Sequence, residues 1–478
     1  MEELMKQFDG PPSLPILGNA LQFLGAPKDI LLHFMKLMEK YKSPFKLRLM
    51  YKQYVIIFDP EDFQTVANKI LQKDCNYNFI KDMLGDGIFT SEIHKWKRNR
   101  QILNPAFNPH VLFDSFLKIF NEKNALLVQI LKKELDTGKH FDLWPYIILT
   151  SVKTISGKII ETTLGKTKNF SENELQNFIE AVMKSTKVVS ERFYKMWMHS
   201  SVIFNIYKYF KGYGKIFDAV HQYPLKMLYA KLQQKQETKL FVETDESLEK
   251  PLRNFIEILL DMRNKNIFTE QHIKDEIISI MFGGSETTAV TNSFLLLMLA
   301  IHQQIQDKVY NELYEVFGDS DRLPTRDDLT KLTFLEQCIK ETLRRFSIVP
   351  IIIRQSDEDI QIKNYVIPKR TSIVLSILGI HLNPNIYANP FEWNPNNFDP
   401  DKVASRHKCS FVAFSTGQRG CIGQKYAWLS MKAQISTILR NYKFSTDLTM
   451  DDMQLDVDLL IRNISGYKVK LHRRTEKL

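Results

Sequence analysis

Glycine and proline are scarce, with 18 of each among 478 residues, which argues against a turn-dense all-β architecture and for long helices. Cysteine is scarcer. Only Cys75, Cys338, Cys409 and Cys421 occur, with no CxxC pair, so a disulfide scaffold is excluded and a reducing compartment is indicated. Long apolar runs are missing as well. The longest, Phe294 to Ile301, falls well short of the roughly 20 residues that span a bilayer. Nor is there a block of one charge sign. The 65 Lys and Arg exceed the 55 Asp and Glu by a net +10 that is spread along the chain. A nucleic-acid binder concentrates such charge on one element; a diffuse excess fits an anionic membrane surface or an acidic protein partner.

What remains is ordinary globular material, 44% hydrophobic and 25% charged, which excludes disorder and fibrous repeats. Three prolines in Gly10-Pro-Pro-Ser-Leu-Pro-Ile-Leu-Gly18 force a stiff, extended entry with no helix before Asn19. Alternation over Phe45 to Phe58 predicts a hairpin, and Asp357 to Ser376 a second group of short strands. Thr269 is placed to cap a helix from Glu270 past Ile301, roughly 30 residues or about 45 Å. Lys231 to Lys250, charged and poor in apolar pairs, is the best loop or linker candidate.

Chemistry concentrates in four places. Phe414-Ser-Thr-Gly417-Gln-Arg419-Gly-Cys421-Ile-Gly423 is a loop feeding a helix N-terminus, where unpaired amides and the helix dipole stabilise a thiolate. Its glycines allow a flat ligand to approach, and Arg419 can pair with that ligand's carboxylates. Trp96 and Arg100 stand four apart on one helix face. Gly283-Gly-Ser-Glu286-Thr287-Thr288 interrupts the long helix with weak helix formers, a local conflict that suggests function. Glu341 and Arg344 form an i, i+3 pair ahead of Pro350. Each has a bland reading in isolation: a buried inert cysteine, a stacked surface arginine, a glycine for helix packing, a surface ion pair.

Taken together, W-x-x-x-R, G-G-x-E-T-T, E-x-x-R and F-x-x-G-x-R-x-C-x-G, in this order along the chain, resemble the cytochrome P450 family from about Gly10 to Lys470. Met281 to Ala289 and Leu84 to Ser91 look most like its fourth family, the fatty-acid ω-hydroxylase and insect type. The resemblance implies a mainly α fold with a small β region, a single large helical haem domain over 19–478. Ahead of it stand a proline-rich hinge at 10–18 and, at 1–9, the remnant before a membrane anchor absent from this chain. It implies haem b with Cys421 as axial iron ligand, Trp96, Arg100, Arg354 and Arg419 at the propionates, and Phe414 and Gly423 shaping the loop. Glu286 and Thr287 become the proton-relaying catalytic pair, and Gly283, Ile351 and Ile352 line the substrate cavity. Glu341 and Arg344 become a buried structural pair whose usual third member, an Arg, is replaced by Asn397.

The activity implied is insertion of one oxygen atom from O2 into an apolar substrate, a fatty acid, terpenoid hormone or xenobiotic. Electrons come from NADPH through NADPH–cytochrome P450 reductase, with cytochrome b5 as a further partner. Arg406, His407, Lys408 and Lys425 offer the acidic face of a reductase a basic landing site. The localisation implied is the cytosolic face of the endoplasmic reticulum membrane, with Phe193 to Phe210 dipping into the interface. Gly283 stands where many relatives carry the Glu that esterifies a haem methyl, so the haem is expected to be held non-covalently and the cavity to be wider beside the iron. Two rivals differ in class. One is a haem-thiolate isomerase or dehydratase of lipid hydroperoxides, which would not need Glu286 and Thr287; the other is a non-catalytic haem carrier or sensor.

Overall fold

The computed structural model describes residues 2–160, 171–241 and 255–474. It is mainly helical with small sheets, as the glycine and proline scarcity implies. The organising element is the helix Glu270–Ile301, whose N-cap Thr269 accepts a hydrogen bond from the His272 amide at 3.2 Å. At 32 residues it is roughly 48 Å long, and from Ile273 to Ala300 nearly every side chain is buried. A helix apolar all round must be enclosed. Helices Trp144–Ile160, Tyr213–Phe241, Thr333–Phe346 and Gln424–Asn441 pack against it.

Strands Phe45–Leu49 and Lys52–Ile57 form the expected hairpin, pairing Phe45 with Ile56 and Leu49 with Lys52. Ser372–Ser376 joins in parallel, Tyr54 beside Ser372, and Ile351–Gln355 closes the sheet antiparallel, Arg354 beside Ile373. Ile360–Ile362 and Tyr365–Ile367 supply the rest of the second strand group. The entry run stays free of helix until the short turn Ala20–Phe23. Residues ahead of it are packed down: Met5 and Phe8 are buried, and Gln7 exchanges hydrogen bonds with the Val366 backbone.

The linker expectation fails for its described half. Helix Tyr213–Phe241 runs through Lys231, whose side chain is buried and lies 3.8 Å from Glu257, and residues 242–250 lie outside the described ones. Lys, Gln and Glu are good helix formers, so a scarcity of apolar pairs there did not mean a loop. Among the described residues no helix is long and apolar enough to cross a membrane.

Candidate active site

The cysteine loop is a tight hairpin. The Cys421 amide donates to the Phe414 carbonyl at 3.0 Å, Gly420 to Gly417 at 3.0 Å, and Ser415 to Val412 at 2.8 Å. Gly417 sits at φ +74°, and a Cβ there would stand 2.6 Å from Asn68 Oδ1, so the position admits only glycine. Helix Gln424–Asn441 starts immediately after the loop with Gly423 as its N-cap, and Phe414 leans on Trp428 with ring centroids 5.7 Å apart. Cys421 is an exposed residue although protein surrounds its thiol on most sides. Burial pushes its thiol up, against the Gly423 amide and the Arg100 charge that pull it down.

Cations gather near the loop, with Arg100 close enough to act on the Cys421 thiol. Arg419 donates to the carbonyls of Leu71 at 3.1 Å and Ser91 at 3.0 Å and stacks 4.2 Å over the buried Trp96 ring. Arg100, on the same helix as Trp96, bonds Asn104 and the Gly420 carbonyl, both at 2.9 Å. It is therefore Arg419, and not Arg100, that partners Trp96. Arg354 donates to the Ile353 carbonyl at 3.2 Å and shares a side-chain hydrogen bond with Tyr77. Lys73, which no motif marked, pairs with Arg354 across an isolated bridge, donates to the Phe89 carbonyl and lies over the rings of Tyr77 and Phe89.

Among the described residues no carboxylate pairs with any of these four, and Arg354 Nε and Arg419 Nη1 are buried without an acceptor. Burial and the charges of Arg354 and Arg100 bring Arg419 down to about 9, and burial with Arg354 and Arg419 holds Lys73 well below its ordinary range. Crowded, partly dry cations without a counter-charge are costly. A ligand carrying two carboxylates relieves them, and the propionates of a haem fit this requirement with a sulfur ligand at the other side.

The helix runs unbroken through Gly283–Thr288 despite these weak helix formers, because packing on both sides holds it, and at Gly283 it borders open space. Gly283 is exposed in an otherwise buried stretch, and nothing lies within 4 Å of a Cβ built on it. Gly284 is different: a Cβ there would meet Ile155 at 3.0 Å, so this glycine serves helix packing. The half-exposed Thr287 donates back to the Gly283 carbonyl at 2.8 Å. Glu286 is one residue, about 100°, around the helix and points elsewhere. Its carboxylate is buried, accepts from Arg462 of strand Leu460–Asn463 and keeps one oxygen without a partner. Arg462 also stacks 5.1 Å over Trp144 and lies 4.0 Å from Asp458, whose carboxyl burial raises to about 7. The acid and the alcohol are thus presented on different sides of one helix. Ile351 and Ile352 are half-buried on their strand.

Glu341 and Arg344 are fully buried and joined by two bonds, Nε to Oε2 at 2.7 Å and Nη2 to Oε1 at 2.8 Å. Arg344 further donates to the carbonyls of His381 (2.8 Å), Pro390 (2.7 Å) and Glu392 (2.8 Å). The substitution at 397 does not open the network. Asn397 Nδ2 donates to Glu341 Oε1 at 3.1 Å, beside the Asn394 amide at 2.8 Å. Arg406, expected on the surface, turns inward to the Asn397 carbonyl and the face of Tyr387, leaving His407, Lys408 and Lys425 exposed.

The chain is similar to known proteins over nearly its whole length. The family model Cytochrome P450 matches residues 9–471. Cytochrome P450 4g15 of Drosophila melanogaster is 30% identical over 99% of this chain and 93% of its own length. Cytochrome P450 4c21 of Blattella germanica is 32% identical over 96% and 92%, and human Cytochrome P450 4V2 is 30% identical over 96% and 88%.

Proposed function

The chain belongs to the cytochrome P450 family of haem-thiolate monooxygenases, and from that premise we propose that it hydroxylates an apolar lipid or xenobiotic with electrons from NADPH–cytochrome P450 reductase. The cofactor is haem b, held through a cysteine thiolate, and it is bound here without a covalent link, since Gly283 has no side chain that could form one. When bound, the haem supplies oxygen activation, with the thiolate's electron donation favouring O–O cleavage, an established property of these enzymes. The protein supplies everything else.

The observation that carries the reading is an exposed Cys421 with Arg100 near enough to act on its thiol, in a group of four carboxylate-free cations, Lys73, Arg100, Arg354 and Arg419, that act on one another. Cys421 would be the axial ligand; the four cations would hold and orient the propionates. Thr287, its hydroxyl proton held at the Gly283 carbonyl, would pass protons into the space next to Gly283. Glu286 would supply protons to it through water, its carboxylate being held on the buried side by Arg462. Gly283, Ile351 and Ile352 would border the substrate, and with no side chain at 283 the cavity would admit in-chain as well as terminal oxidation.

Two surfaces support the partners. His407, Lys408 and Lys425 are exposed beside the cysteine loop and suit the acidic face of a reductase or of cytochrome b5. Helix Ser201–Phe210 buries Phe204 while exposing Val202 (70%), Ile206 (55%) and Tyr209 (82%) at i, i+4, i+7, an outward apolar face suited to the endoplasmic reticulum membrane surface. The test is reconstitution with reductase, phospholipid and NADPH under isotope-labelled dioxygen, against a panel of fatty acids, terpenoids and xenobiotics. One labelled oxygen per product is expected. Product formed without reductase or O2, or label arriving from water, would refute the reading.

A further inference from the structure

His381 is fully buried in the short helix Ile377–His381, has no place in the chemistry described so far, and makes three kinds of contact. Its backbone carbonyl accepts from Arg344. Its Nδ1 lies 2.9 Å from Ser347 Oγ, and its Nε2 accepts from the Val412 amide at 2.9 Å. The ring stacks on Phe411, centroids 5.3 Å apart and planes within 17°.

The bonding directions are forced. The Ser347 hydroxyl donates to the Arg344 carbonyl at 3.0 Å, so its oxygen faces Nδ1 as an acceptor and Nδ1 must carry the proton. The Val412 N–H can only donate, so Nε2 must be bare. Both ends therefore demand the same neutral tautomer. Burial, with the Arg344 charge beside it, brings the imidazole down to about 3, which keeps it in that form. Ser347 itself is held at φ +40° where helix Thr333–Phe346 ends, so the hydroxyl's position is set by the same helix that carries Glu341 and Arg344. Val412 opens the loop: its carbonyl takes the Ser415 amide, and two residues further on Phe414 takes the Cys421 amide.

We infer that His381 is a positioning residue that locks the cysteine loop to the Glu341–Arg344 helix through Ser347 on one side and the Val412 amide on the other, fixing where the Cys421 sulfur stands. The inference rests on Cys421 being the axial ligand. It assigns the link between buried pair and loop to one imidazole, in one tautomer, in addition to the carbonyl contacts of Arg344.

The test uses haem-loaded protein, reduced and exposed to carbon monoxide, reading the fraction with the red-shifted Soret band of thiolate ligation. His381→Phe keeps the stack on Phe411 and removes both hydrogen bonds; it should lose at least half of the thiolate fraction. His381→Gln can place an amide oxygen near the Nε2 position and should restore most of it. Ser347→Ala leaves the Nδ1 proton buried without an acceptor while the Val412 amide still holds Nε2. It should show a smaller loss, and in combination with His381→Phe no further one, as groups acting in series are not additive. Secondary structure by circular dichroism identifies any variant that fails to fold, and in that case the Ser347→Ala result decides. A wild-type thiolate fraction in both His381→Phe and Ser347→Ala, or a loss in His381→Gln as large as in His381→Phe, overturns the inference. A thiolate band surviving Cys421→Ser would instead overturn the ligand assignment beneath it.

Discussion

Arg344→Ala tests the buried pair most severely. In the folded protein Arg344 makes five hydrogen bonds, two to Glu341 and one each to the carbonyls of His381, Pro390 and Glu392. Both side chains are wholly buried, so removing the guanidinium leaves a carboxylate with only the Asn394 amide and Asn397 Nδ2 for company. An uncompensated buried charge of this kind costs about 3–5 kcal/mol, a large part of the ~5–15 kcal/mol that holds an average domain together. Arg344→Lys keeps the charge but replaces a planar fork by one ammonium, so it should fall between wild type and Ala. Urea unfolding followed by circular dichroism, with haem content measured in parallel, gives the ordering. If Arg344→Ala lies within about 1 kcal/mol of wild type, the pair behaves as an exposed one and the network argument is wrong.

Glu276 predicts a pH dependence. It is wholly buried, accepts from the Ile88 amide at 2.9 Å and from Asn99, and burial raises it from 4.5 to about 7. A raised acid contributes stability that is complete below its unfolded value and lost as pH rises through its folded one. Up to about 3 kcal/mol should therefore disappear between pH 4.5 and 7. Glu276→Gln should flatten this slope in pH-dependent urea titrations, leaving the part due to Asp458, which titrates in the same window; an unchanged slope contradicts the assignment. Thr287→Ala should leave haem content intact while diverting NADPH electrons into hydrogen peroxide, and unchanged coupling of NADPH to product would remove Thr287 from the proton route. Acid-organic extraction should strip haem from the wild type, whereas Gly283→Glu, which has room for its side chain, should retain a fraction as a mass adduct.

The parts of the site that could be read from the chain are those whose chemistry is local. The cysteine loop, the Gly283–Thr288 stretch of the long helix and the Glu341–Arg344 spacing each lie within about ten residues, so a short motif contains the whole constraint. The cation cluster does not. Lys73 and Arg354 are nearly 300 positions apart and meet only because an isolated bridge sets their backbones side by side, and nothing in the neighbourhood of Lys73 marks it. His381 and Arg462 escaped for the same reason: their partners, Ser347, Val412 and Glu286, belong to other elements. Asn397 shows the reverse limit. Its identity broke a pattern, yet an amide donor at the right place still satisfies Glu341. The stretch before residue 242 misled because charge density was taken for solvent exposure, whereas Lys231 is buried.

The account stands or falls on the ligand to the iron. Carbon monoxide added to the dithionite-reduced, haem-loaded protein should give the red-shifted Soret band of a thiolate-ligated haem in the wild type and in Cys409→Ser, Cys75→Ser and Cys338→Ser alike. Cys421→Ser should lose it. A band that persists in Cys421→Ser, or that vanishes instead with Cys409→Ser, would contradict the assignment and with it the site built around the Cys421 sulfur.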